Sequence, residues 1–270
     1  MKILETRELL KLSLHSRNNL ILESSEQVVL ENPTGDEKID KSLRLYTVME
    51  HYIPGLVKYN FEFSPQMSND DEVFVRTKIN KVIESYRPKI IGQIDNNMLE
   101  MTGKKNIFQL VGAYRLALSQ KHTRTITEKL GHLLEEIAYI SPNCISPEND
   151  FGTNLVGVDL LIHRNKNVLI QCQLKSNRNT LTGAQAPRVE KELKSHKNPY
   201  FAAALDTDVG WTTGAMTGIT RVAGKEFWDL VYMPYDSIIL CLKDFIVELE
   251  DYIYGPIEKN SESQSKLDLE

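Results

Sequence analysis

Cysteine is scarce in this chain. Of 270 residues only Cys144, Cys172 and Cys241 are cysteines, and none stands in a CxxC pair. An odd, unpaired set excludes a disulfide scaffold and a zinc knuckle, and it suits a reducing cytoplasm. Long apolar runs are missing too. The longest near the C-terminus, Ile238 to Leu242, is far too short to cross a bilayer and reads as core. The N-terminal residues carry charges throughout and lack the apolar centre of a signal peptide. Internal repeats are absent. Basic residues are not in excess: 32 Lys and Arg face 37 Asp and Glu, a formal net charge of -5. Taken alone, that balance argues against a polyanionic partner and against a polybasic membrane surface.

The balance is uneven along the chain. Residues 244–270 hold eight acids against Lys259 and Lys266. From His163 to Lys197 there are eight Lys or Arg against Glu190 and Glu192, and residues 104–129 hold six against Glu128. A local basic surface is therefore compatible with a negative whole, and phosphate contacts are its natural use.

Apolar periodicity divides the chain. Residues 1–18 read as a helix, 20–45 as an irregular stretch with turns at Asn32-Pro33 and Gly35-Asp36, and 41–52 as a helix. After a polar break at 65–71, a helix with an Asp70 or Asp71 cap carries Val73, Val75, Ile79, Val82 and Ile83. Residues 106–120 read as a second helix, with Ile107, Leu110, Val111, Tyr114, Leu116 and Leu118 as its apolar positions. A third begins at a Thr125 or Thr127 cap and runs through Leu133, Leu134 and Ile137. The period then changes to two. Residues 155–163 and 168–176 read as strands joined by the turn 164–167, a hairpin. A helix at 184–196, short strands at 201–205 and 228–232, and a helix at 236–253 follow. The polar tail 257–270 reads as disordered. The domain division is a mainly helical region over 1–105 and a core over 106–256. The expected class is α/β (α+β): a central mixed sheet flanked by helices, with a helical N-terminal elaboration.

The hairpin carries the chemistry. Asp159 lies in the first strand. Gln173 and Lys175 lie two apart in the second, on one face. Charges in strands as apolar as LVGVDLLI and VLIQCQLK cost too much to bury without a reason. A cross-strand ion pair between Asp159 and Lys175 is the plain alternative. Upstream, Glu135 follows Gly131 by one helical turn, and that glycine would let the helix approach a sheet closely. A carboxylate and a neighbouring oxygen ligand can hold a hard divalent cation, Mg2+ or Mn2+ rather than zinc. A lysine on the same face can orient an attacking water. Phe227 and Trp228 read as core, and His132 reads as an ordinary helix-surface residue.

Asp159, Gln173-Leu174-Lys175 and the preceding helix resemble the PD-(D/E)xK nuclease superfamily over about residues 124–205. The resemblance implies a restriction-endonuclease-like fold. It implies Mg2+-dependent hydrolysis of double-stranded DNA, as in a type II restriction endonuclease. It assigns Asp159, Gln173 and Glu135 as metal ligands, with Glu128 the next choice for the helix acid, and Lys175 as the motif lysine. Two positions depart from the pattern: Val158 stands where the motif has Pro, and Gln173 where most members have an acid, so the site carries one negative charge fewer. Asn177, Arg178, Asn179 and Thr180, just past Lys175, are dense in groups that bond base edges or phosphates, and with Arg188 they are the expected DNA contacts. A palindromic site implies a homodimer. A structure-specific repair or recombination nuclease of this fold, and an inactive DNA-binding relative, are the other readings.

Overall fold

A computed structural model of the chain describes residues 4–63, 72–99, 106–164, 168–181 and 183–255. The expected caps at Asp70 and Asp71, the turn residues 165–167 and the tail 257–270 lie outside them. The class is mixed α+β. A five-stranded mixed sheet has helices on both faces, and its order is β1 (Cys144–Ile145), β2 (Leu160–Arg164), β3 (Val168–Lys175), β4 (Pro199–Ala203), β5 (Thr220–Ala223). The β1–β2 and β2–β3 pairs are antiparallel, and the β3–β4 and β4–β5 pairs are parallel. Among the described residues no helix is long and apolar enough to cross a membrane.

The central strand explains the layering. β3 is buried at six consecutive positions, as a strand covered on both sides must be. Ile170, Cys172 and Leu174 point into one core with Leu160, Ile162 and Ala202. That core is closed by α5 (Glu72–Leu99), α7 (Tyr114–Tyr139), α10 (Lys225–Leu230) and α11 (Tyr235–Tyr254). On the opposite face Leu161 and Leu169 meet residues of α1 (Thr6–Lys11), α2 (Leu14–Ser25), α3 (Glu37–Glu50) and α4 (Ile53–Phe63). Gln171 joins that side by donating to the Tyr46 hydroxyl at 2.7 Å and accepting the Asn198 amide at 2.8 Å. Further along, Phe201 is covered by Val189 and Leu193 of α9 (Ala186–Lys194).

Several elements differ from their sequence reading. The helix expected over 1–18 is broken at Leu12, because Ser13 caps a new helix through the Ser16 amide at 3.1 Å. That helix, α2, runs to Ser25, and α3 starts at Glu37 under an Asp36 cap, so the irregular stretch shrinks to residues 26–36. The helix expected from Thr125 or Thr127 is not separate. The short α6 (Ile107–Leu110) is followed by one continuous α7. Thr125 is buried and accepts a hydrogen bond from Asn97 at 3.0 Å, and the Thr127 hydroxyl donates to the Thr123 carbonyl at 2.8 Å. Both threonines thus bond within packed helices rather than at an end. Ile107, Leu110, Val111, Tyr114 and Leu116, expected to pack, are exposed. The first hairpin strand starts at Leu160 rather than 155, and Asp159 stands immediately before it. The strand expected at 228–232 is helix α10, and the true strand is β5.

Gly224 makes that last switch. Its backbone (φ 50°, ψ -124°) suits glycine alone, and it turns β5 directly into α10. Phe227 and Trp228 are then fully buried, as expected, and the Trp228 indole donates to the Ala204 carbonyl at 2.7 Å. A Cβ at Gly224 would lie 2.4 Å from the Cβ of Asp206. Gly131 is the reverse case. A Cβ there would meet nothing within 4 Å, so this glycine does not serve the close sheet approach expected of it. Two substitutions separate these roles. Gly224→Ala should destabilise by about 2–3 kcal/mol, through backbone strain and overlap. Gly131→Ala should stabilise by about 0.5–1 kcal/mol, as expected for a mid-helix glycine. Thermal unfolding should show a fall of roughly 5–10 °C for the first and a rise of a few degrees for the second.

Candidate active site

Asp159 is fixed by backbone bonds before any partner charge is considered. Its amide donates to the Cys172 carbonyl at 2.9 Å, and its Oδ2 accepts the Leu174 amide at 2.8 Å. The carboxylate thus takes a strand N–H of β3. The same atom lies 4.0 Å from the Lys175 Nζ. Extending the β2–β3 register by one step sets Asp159 opposite Gln173.

Glu135 approaches from α7. Leu133, Leu134, Ile137 and Ala138 anchor that helix in the core. The Glu135 carboxylate is left facing a cleft of about 320 Å³, whose lining includes Tyr86, His132, Glu148, Asn149, Asn154 and Asp159. The His132 Nδ1 lies 3.6 Å from its Oε2. Burial pushes the Glu135 carboxyl up to about 8. The Asp159 charge adds to this and the Lys175 charge opposes it. Burial also raises Asp159, against the pull of Lys175 and the Leu174 amide. Asp159 keeps 28% of its side-chain surface at the cleft although its carboxyl sits deep. The Leu174 amide and the Lys175 charge favour the ionised form of Asp159 against its burial, while burial keeps the proton on Glu135 at neutral pH. Glu128 is exposed, roughly 10 Å further up the helix, and does not line the cleft.

Gln173 is buried, and its Oε1 has no hydrogen-bond partner. Gln173 shares its face of β3 with Lys175, beside Phe201 of β4, and does not line the cleft with Glu135 and Asp159. Among the described residues no group of three or more His, Cys, Asp or Glu side chains could hold a metal ion. The cleft itself offers the Glu135 and Asp159 carboxylates, and the Gln173 amide oxygen lies outside its lining, across the strand pair from Asp159. An unpartnered buried amide oxygen and two carboxylates suit a hard cation. Sequence reasoning missed Glu136, Glu148, Asn149 and Asn154 at the cleft. The signal was present: Ser146 caps the short α8 (Pro147–Phe151) with Pro147 at its first position, a helix start that presents Glu148 and Asn149.

The expected DNA-contact segment is more occupied than its composition suggests. Thr180 closes a turn by donating its hydroxyl to the Asn177 carbonyl at 2.7 Å, Arg178 pairs with Asp206 at 2.7 Å, and Asn179 is exposed. Arg188 pairs with Glu192, Lys191 with Asp36, Lys194 with Glu190 and Lys197 with Glu50. The basic run is therefore largely neutralised by its own chain. The pairs of Arg188, Lys191, Lys194 and Lys197 are exposed, so they are worth little and are screened by salt. Comparison with family models, with curated proteins and with solved structures finds no match to this chain.

The raised Glu135 carboxyl has a signed consequence for stability. Its folded value lies above the usual carboxylate value, so its stabilising contribution is complete below about pH 4.5 and is lost as pH rises toward 8. Glu135→Gln should therefore gain stability over the parent as pH rises from 5 to 8. The gain should be on the order of 1 kcal/mol, reduced because the carboxyl is partly exposed. Chemical unfolding at several pH values measures the difference; a flat difference would sink the assignment.

Proposed function

We propose that this chain is a Mg2+-dependent endonuclease that hydrolyses double-stranded DNA at a short specific site, as a type II restriction endonuclease does. The supporting observation is that Glu135 of α7 and Asp159, just before β2, line one partly open cleft, with the Lys175 Nζ 4.0 Å from the Asp159 Oδ2. Burying two acids and a lysine together is costly unless chemistry uses them. The restriction-endonuclease-like arrangement, a homodimer on a palindromic site and a cytoplasmic location belong to the same proposal.

Asp159, Gln173 and Glu135 would hold Mg2+, with Mn2+ as a substitute. When bound, the cation supplies charge neutralisation at the phosphodiester and a water of lowered pKa. The chain's own groups do the rest. The backbone bonds of Asp159 hold its carboxylate still as substrate enters. The Lys175 ammonium faces the same edge, where it orients the attacking water and offsets negative charge on the phosphoryl oxygens. Water adds to phosphorus as the bond to the leaving oxygen breaks, the proton of the water passes to solvent or to a carboxylate, and the leaving oxygen takes a proton from solvent.

Gln173 favours one competing reading, an inactive DNA-binding relative, because an amide contributes no charge toward the cation. Plasmid digestion with Mg2+ separates the two. Discrete fragments with mappable ends are expected, with cleavage reduced at least 100-fold in Asp159→Ala and in Lys175→Ala while the fold is retained. Gln173→Glu should tighten the cation requirement, lowering the Mg2+ concentration needed for half-maximal rate. A smear in place of fragments would remove site specificity. Full activity in either alanine variant would remove the assigned roles.

A further inference from the structure

We infer that Arg178 and Asp206 together read a G·C base pair next to the cut. This deepens the nuclease reading and rests on it. The parallel strands β3, β4 and β5 end at one edge of the sheet. The ladder continues past the strands, with the Ala204 amide bonded to the Lys175 carbonyl at 2.8 Å and the Leu205 amide to the Ser176 carbonyl at 2.9 Å. This brings Arg178 and Asp206 together just beyond Lys175, with their Nη2 and Oδ1 at 2.7 Å.

Asp206 is held from three sides. Its amide donates to the Tyr235 hydroxyl at 3.0 Å, its carboxylate meets Arg178, and Gly224 leaves room for its Cβ where any other residue would collide. Yet 48% of its side chain is exposed, against 27% for Arg178. A surface pair fixed this firmly and still open on one side is preorganised to meet a ligand.

The chemistry of that ligand follows from the signs. A guanidinium beside a fixed carboxylate is close to neutral, and the carboxylate repels phosphate, so a backbone clamp is a poor use. A donor and an acceptor side by side fit a base edge. Guanine offers two acceptors, O6 and N7, to a guanidinium, and its cytosine partner offers the N4 amino group to a carboxylate. Arg178 lies three residues past Lys175, in the bend and turn that leave β3, so the chain sets them at most about 10 Å apart, which is about three base pairs of duplex.

The test maps cleavage ends with Mg2+ on a duplex library randomised around the site. A G·C pair within about three base pairs of the cut is expected. Asp206→Asn and Arg178→Lys should each lose roughly ten- to a hundred-fold at that pair, with preference unchanged elsewhere. Thermal unfolding of each variant reports whether the fold is kept. A uniform fall at all positions makes the pair structural and overturns the inference. So does a cut site without that G·C pair, and both results leave the nuclease reading standing. Absence of any metal-dependent cleavage overturns the two together.

Discussion

One hydrogen bond organises the candidate site: the Leu174 amide to the Asp159 carboxylate. A strand N–H must find an acceptor. Here the acceptor is a side chain, because the neighbouring strand begins only at Leu160. The acid is therefore tied to the strand that carries Gln173 and Lys175. The lysine stays within Coulomb reach without a close contact, and a second acid on α7 is left to take up the proton. Burial raises both acids of the cleft, and the β3 amide, with the lysine, pulls back on Asp159.

Much of this was legible in the residues, and the reasons are local. The hairpin announces itself by a change of period from 3.6 to two, and α9 and α11 by their apolar stripes. Asp159 and Lys175 stand out because their strands are otherwise apolar. The residues favour Glu135 over Glu128 only by its spacing from Gly131, whereas in the packed helix the difference is that Glu135 lines the cleft and Glu128 is exposed beyond it. The continuity of α7 was hidden by two threonines, Thr125 and Thr127, that resemble caps until their partners are known. The helix at Lys225–Leu230 was hidden by Phe227, Trp228 and Val231, which favour strands, while one glycine in an unusual turn decided otherwise.

The charges show the limit most sharply. Counting along the sequence finds a basic run over 163–197 and cannot see what neutralises it. Lys191 meets Asp36 and Lys197 meets Glu50, partners about 150 positions away and contributed by α3 and its cap. The N-terminal helices thus cover one face of the sheet and also supply counter-charges to the basic surface of α9. A nucleic acid approaching that surface would compete with these carboxylates, which lowers non-specific attraction and makes the encounter sensitive to salt.

The sheet is bounded by very short strands: β1 has two residues and β5 has four. Neither edge offers enough free backbone to template another strand. Extension of one sheet into that of a second copy is disfavoured at both edges. What stays open at the sheet is therefore the ends of its parallel strands, where Lys175, Arg178 and Asp206 stand, rather than its edges.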